Sequence, residues 1–171
     1  MKNVLVLSDT HSYIDERILY YCHQADEIWH AGDIGSKSVL EKIHKPIKAV
    51  YGNIDGKEIR EKFPCDLRFF FEGIDVFITH IARTNIKAGA FNTYIPRIEA
   101  LFKKNPPSLF IYGHSHILQI GFDKKHAFYF INPGAAGLYG GHAKRTLVRF
   151  KIHKKKIFDM QVIDLGEKSK R

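Results

Sequence analysis

The sequence predicts a mixed α/β (α+β) fold in which two β-sheets pack face to face with helices outside. Three observations carry this. The front of the chain alternates short apolar runs with helical patterns, the order expected of a parallel sheet. The back holds apolar runs with almost no helical spacing. No repeat, low-complexity tract or Pro/Gly/Ser-rich linker divides the 171 residues, so 1–171 reads as one domain with a basic, frayed tail from about residue 166.

Taken in order, Val4 to Leu7 is a buried strand. Asp15 to Gln24 is an amphipathic helix, with Ile18, Cys22 and Ala25 on one face. Glu27 to His30 is a second strand. Ser38-Val39-Leu40-Glu41 has capping-box spacing for the next helix, although Ser36 could open it equally well. Ile47 to Tyr51 is a third strand. Leu67 to Phe71 and Asp75 to Thr79 are neighbouring strands separated by Glu72-Gly73. A helical stretch from about Ile86 to Phe102 should be kinked or divided at Pro96. Leu109 to Tyr112 is another strand, followed by strand-like runs at Ile117 to Phe122, Ala127 to Ile131, Thr146 to Ile152 and Ile157 to Ile163.

Composition bounds the function. Hydrophobic residues make up 44% of the chain, enough for one sizeable core. No signal peptide is evident, and no stretch approaches the roughly 20 apolar residues that span a bilayer, so a soluble, cytoplasmic protein without a membrane partner is expected. The two cysteines make no disulfide framework; Cys22 reads as a packed residue and Cys65 is given no role. The formal charge of +9 admits either nucleic-acid binding or attraction of phosphate-bearing substrates. Much of the excess falls at Lys151, Lys154, Lys155, Lys156, Lys168, Lys170 and Arg171, which reads as a solvated hairpin and tail.

The chemistry follows the strands. Val4 to Leu7 leads into Ser8-Asp9-Thr10-His11, and Glu27 to His30 into Ala31-Gly32-Asp33. Lys48 to Tyr51 leads into Gly52-Asn53-Ile54-Asp55. Asp75 to Thr79 leads into His80, and Leu109 to Tyr112 into Gly113-His114-Ser115-His116. Strand C-termini of a parallel sheet share one edge, so five such ends would gather Asp, His and Asn groups in one crevice. Imidazole with carboxylate and amide oxygens suits borderline or hard divalent ions. Asp9-x-His11 and His114-x-His116 would each present two side chains on one side of an extended segment. Asp9, His11, Asp33, Asn53, His80, His114 and His116 are too many ligands for one ion. Two ions then need a bridging carboxylate, and Asp33 is the natural candidate.

Taken singly these blocks are weak; in this order they resemble the calcineurin-like metallophosphoesterase superfamily, and most closely its compact, stand-alone YfcE-like phosphodiesterase branch. The pattern is Asp-x-His, Gly-Asp, Gly-Asn-x-Asp, a lone His and Gly-His-x-His, running from Asp9 to His116 and on toward Asn132-Pro133-Gly134-Ala135. The resemblance implies a four-layer αββα sandwich of two mixed β-sheets. It implies one ion held by Asp9, His11, Asp33 and His116, and another by Asp33, Asn53, His80 and His114. Asp55 would orient a ligand such as a histidine, while His30 reads as a packed strand residue. Manganese is the expected metal, with iron, zinc, nickel or magnesium as alternatives. Most of the superfamily has a leaving-group histidine where this chain has Ile54, a departure shared by the compact branch.

The expected activity is hydrolysis of a small phosphate ester, with a phosphodiester favoured, by in-line attack of a metal-bridging hydroxide. Asp33, Asn53 and His114 are the expected catalytic set, the latter two also reaching phosphate; Arg83 and Lys87 follow His80 and read as solvated charges. One alternative is a retromer-subunit-like interaction scaffold with weak or no catalysis, in which Phe69-Phe70-Phe71 could serve a partner or a second copy of the chain. Another is a metal-dependent nuclease, disfavoured because the chain has no room for a strand-gripping addition.

Overall fold

The computed structural model describes residues 1–83 and 93–168. Strand and helix alternate at first, in β1 (Lys2–Leu7), α1 (Glu16–Gln24), β2 (Glu27–His30), α2 (Lys37–Lys42), β3 (Ile47–Ala49) and α3 (Lys57–Lys62). A hairpin of β4 (Asp66–Phe71) and β5 (Ile74–Thr79) follows. After it come α4 (Pro96–Lys104), β6 (Leu109–Ile111), β7 (Leu118–Asp123), β8 (Phe128–Pro133), β9 (Lys144–His153) and β10 (Lys156–Glu167).

The strands form two mixed sheets. The first runs β10-β9-β1-β2-β3, with β1, β2 and β3 parallel and β9 and β10 antiparallel to their neighbours. The second runs β4-β5-β6-β8-β7, in which β5, β6 and β8 are parallel. Alternation along the strands decides the layers. Val4, Val6, Trp29, Val148 and Phe150 face Val76, Ile78, Leu109, Ile111 and Ile131 between the sheets. Leu5, Leu7 and Ile28 point the other way, onto Ile18 and Cys22 of α1, Val39 and Leu40 of α2 and Ile59 of α3. Phe77 and Phe110 pack beneath Ile98 and Phe102 of α4.

Local signals account for most boundaries. Asp15 caps α1, its carboxylate accepting the Ile18 N–H at 2.9 Å, and Arg145 grips the same carboxylate at 2.8 Å. Pro96 does not kink a helix: it occupies the first turn of α4, where its missing N–H costs nothing. The expected helical residues from 86 to 92 lie outside those described. α2 is entered through Ser36, and the Ser36 and Ser38 hydroxyls bond each other at 2.7 Å, so no capping box forms at Ser38. α3 escaped the sequence reading because it buries only Ile59 and so has no apolar period. β10 stays paired through Glu167 with Lys144, so the chain is still in the sheet at residue 166, where a tail was expected.

Phe69 and Phe71 pack edge-on against Trp29, with ring centroids 5.3 and 5.4 Å away, and only Phe70 points outward, 75% exposed. The phenylalanine run is therefore an alternating strand rather than a continuous apolar patch. Among the described residues no helix is long and apolar enough to cross a membrane.

Candidate metal centre

The loops that leave β1, β2, β5 and β6 are stitched together by main-chain bonds. Asp9 N–H donates to Gly32 O, His11 N–H to Asp33 O, and Gly113 N–H to His80 O, at 3.0–3.1 Å. Across the sheets the His114 N–H donates to Asp9 Oδ2 at 3.1 Å, so the two sheets share one lip, where glycine is required for close approach. A Cβ on Gly52 would collide with Asp33 Oδ1, and one on Gly113 with Ser8 Oγ.

The backbone there is not extended, as the alternation argument for Asp9-x-His11 and His114-x-His116 assumed. Asp9, His11, Asp33, His114 and His116 all have positive φ, between 47° and 70°. Each pair converges because both its residues take left-handed turns, a conformation that costs non-glycine residues energy.

Two side-chain groups result, Asp9 with His11 and His116, and Asp33 with His80 and His114. Asp9 Oδ1 lies 3.2 Å from His116 Nε2 and 3.8 Å from His11 Nε2. Asp33 Oδ2 lies 3.2 Å from His80 Nε2 and 3.6 Å from His11 Nε2, so it faces both groups. Asn53 Oδ1 lies 3.1 Å from His80 Nε2. All seven residues expected as ligands therefore border one locus.

Hydrogen bonds fix how the imidazoles face it. His80 Nδ1 is 2.7 Å from Ala31 O, which can only accept, so Nδ1 carries the proton. A neutral His80 then turns the Nε2 lone pair toward the oxygens of Asp33 and Asn53. Facing lone pairs at these distances require a cation or a second proton between them. His116 is set similarly. His142 Nε2 donates to Gly137 O at 3.2 Å, leaving its Nδ1 to accept from His116 Nδ1 at 3.2 Å, which frees His116 Nε2 toward Asp9. Asp9 Oδ1 and His11 Nε2 are buried without a hydrogen-bond partner. A divalent cation fits this donor set.

Electrostatics divide the histidines of the site. Burial lowers the pKa of His114, and of His11 despite the nearby charges of Asp33 and Asp9, keeping both neutral and able to ligate. Burial opposes ionisation of Asp33, but the His80 bond and charge and the Ile54 N–H outweigh it and lower its pKa. At His80 burial is likewise outweighed, by Asp33 and Asp9, and the pKa rises.

Asp55 is buried close by, and among the described residues its hydrogen bonds go to main-chain groups rather than to a histidine. Its carboxylate accepts the backbone N–H groups of Ile34, Gly35 and Gly52 at 3.2, 2.6 and 2.7 Å, tying the Asp33 loop to the Asn53 loop. His30 is fully buried as expected, with Nδ1 accepting the Gly32 N–H and Nε2 bonded to Thr10 Oγ1 at 3.0 Å. Ile54 stands 45% exposed at the rim, offering only its backbone N–H, to Asp33 Oδ1 at 3.1 Å. The Arg83 guanidinium lies over the rings of Tyr94, Tyr112 and Phe130 at 4.9–5.2 Å, so it is not the solvated charge expected. Lys87 lies outside the described residues. His142 went unread in the sequence; its only local signal is a histidine after Gly140-Gly141, ahead of a strand.

The fold is shared with solved structures. A novel archaeal phosphodiesterase matches with a TM-score of 0.73 and 22% identity over 95% of this chain and 99% of that one. A predicted phosphoesterase from Streptococcus pneumoniae TIGR4 gives 0.62 and 18%, over 95% and 97%. Vps29 from Entamoeba histolytica, in its zinc complex, gives 0.69 and 16%, over 95% and 98%. No curated protein is a significant match. At such identities the likeness is one of fold. The sequence itself carries more, because the calcineurin-like phosphoesterase superfamily domain matches residues 1–155, so the chain belongs to the calcineurin-like phosphoesterase superfamily.

Proposed function

We propose that the chain is a single-domain, cytoplasmic, two-metal phosphoesterase that hydrolyses small phosphate esters, with phosphodiesters favoured. Asp9, His11, Asp33 and His116 would hold one ion, and Asp33, Asn53, His80 and His114 the other, with Asp33 shared. The observation that carries this is the setting of His80: Nδ1 is committed to Ala31 O, so Nε2 faces carboxylate and amide oxygens at 3.1–3.2 Å, a contact that only a cation or a second proton can satisfy. When bound, two divalent ions supply Lewis acidity and an activated water for attack on phosphorus. The protein's own part is to hold the donors rigidly. Asp55 clamps the two loops, His142 sets the His116 ring, and His30 and Thr10 brace the turn before Asp33. Asn53 and His114 border the space a phosphate would enter. With Ile54 at the rim, esters with good leaving groups should react best. Manganese is the first metal to try, because the mixed N/O set accepts several divalent ions.

A scaffold reading is favoured by the shared fold with Vps29. Against it stand two groups of metal-ligand type, Asp9 with His11 and His116 and Asp33 with His80 and His114, gathered at one edge. The deciding experiment compares hydrolysis of bis-p-nitrophenyl phosphate and p-nitrophenyl phosphate with manganese and with chelator. Manganese-dependent turnover favouring the diester is expected. No turnover with any divalent ion by a protein that binds metal would replace the enzyme by the scaffold.

A further inference from the structure

A cavity of about 320 Å³ opens directly beside Asn53 and His80, lined also by Arg60, Cys65, Ile81 and Arg97. Its two guanidinium groups differ in how they are held. Arg97 is paired with Asp66 and donates to Thr79 Oγ1 at 3.2 Å, so its charge is matched. Arg60 donates Nε to Asp55 O at 2.6 Å and Nη2 to Gly52 O and Asn53 O at 3.1 and 3.2 Å. Its plane also lies over the Tyr51 ring, 4.4 Å from the centroid. All these partners are neutral. Among the described residues no carboxylate forms an ion pair with Arg60, and no hydrogen bond uses its Nη1.

Arg60 is thus a positive charge held in place by three carbonyls and a ring, with one donor edge unspent. Such a guanidinium binds an oxyanion with little ordering cost, since its rotamer is already fixed. The nearest ion-binding candidates, Asn53 and His80, line the same cavity, so one compact molecule can reach both. We propose that this cavity is a subsite for a second oxyanion, making the substrate class phosphate esters that carry a carboxylate or a further phosphate on one arm. The inference rests on the two-metal reading above, because the reacting phosphate must sit at the candidate ions.

Isothermal titration calorimetry of the manganese-loaded protein tests it with three probes. 3-Phosphoglycerate and glycerol 3-phosphate differ in a carboxylate, and 1,3-propanediol bisphosphate offers a second phosphate instead. The two doubly anionic probes are expected to bind about tenfold more tightly than glycerol 3-phosphate, the scale of one charge-assisted hydrogen bond; the tighter of them identifies the group. In Arg60→Gln the ratio should fall to about one, whatever the variant does to absolute affinity. Should that variant not fold, Cys65→Glu, at an exposed position, places an opposing charge in the same cavity and should produce the same collapse. Equal affinities for all three probes in the unaltered protein, or a ratio that survives both substitutions, would overturn the subsite. Calorimetry needs no turnover, so an inactive protein with the selectivity intact would refute the enzyme alone.

Discussion

Replacing His30 by glutamine should flatten the acid limb of the protein's stability curve. His30 is fully buried between Thr10 and Gly32, and burial pushes its pKa down from 6.5 to about 4. A histidine whose folded pKa lies below its unfolded value contributes no penalty above pH 6.5. As pH falls from there toward 4, the unfolded chain takes up a proton that the folded chain refuses, and stability is lost. Integrating that difference gives a loss of about 2 kcal/mol at pH 5 and about 3 kcal/mol at pH 4. With an unfolding entropy of roughly 2.1 cal/mol/K per residue, the pH 5 figure corresponds to about 6 °C in melting temperature. Glutamine can still donate to Thr10 and accept from Gly32 but does not titrate. The assay is urea and thermal unfolding of chelator-treated protein at pH 7, 6, 5 and 4.5, unaltered against His30→Gln. The variant should lose less stability on acidification, by about 2 kcal/mol at pH 5, even if it starts lower at pH 7. Parallel pH profiles would refute the reasoning, since they would mean that His30 accepts its proton in the folded state.

Asp33→Ala should lose both manganese equivalents by elemental analysis and reduce diester hydrolysis by at least about 10³-fold, because one carboxylate serves both groups. His142→Ala should weaken manganese binding by about tenfold while leaving the fold's melting temperature almost unchanged in chelator, as calorimetry and thermal melts would read. Asp55→Ala strands three backbone N–H groups and should cost about 3 kcal/mol in urea unfolding, with or without metal. Gly113→Ala drives a methyl into Ser8 and should cost about 2 kcal/mol by the same measurement.

The parts of the fold that could be read from sequence are those with a strong period or a hard stop. β2 is bounded by Asp26 and Ala31 as expected, and the Ile18, Cys22 and Ala25 face of α1 is buried. α3 was invisible because it is held by one apolar contact and by Arg60 bonds to the preceding loop, neither of which leaves a periodic trace. The candidate site was legible in type because its donors follow strand ends, with Asp33, Asn53 and His114 directly after a glycine. Its conformation was not. Asp-x-His suggests an extended pair, and only the three-dimensional crowding of two sheet edges forces both residues into left-handed turns. His142 and the actual partners of Asp55 were hidden for a related reason: their bonds cross long sequence separations or go to main-chain atoms, which any residue supplies.

Those left-handed turns have a consequence for how the chain can change. Five of the seven donor residues sit where glycine would be more comfortable, at roughly 1 kcal/mol each, a sum comparable with a third or more of a typical domain's net stability. The strain falls on the residues whose side chains converge, Asp9, His11, Asp33, His114 and His116. It also means that stability alone pulls the sequence away from these side chains. A descendant released from binding metal could drift to glycine at Asp9, His11 or His116 and become sturdier with each step, so a robust but metal-blind relative is the easy product of relaxation from this architecture.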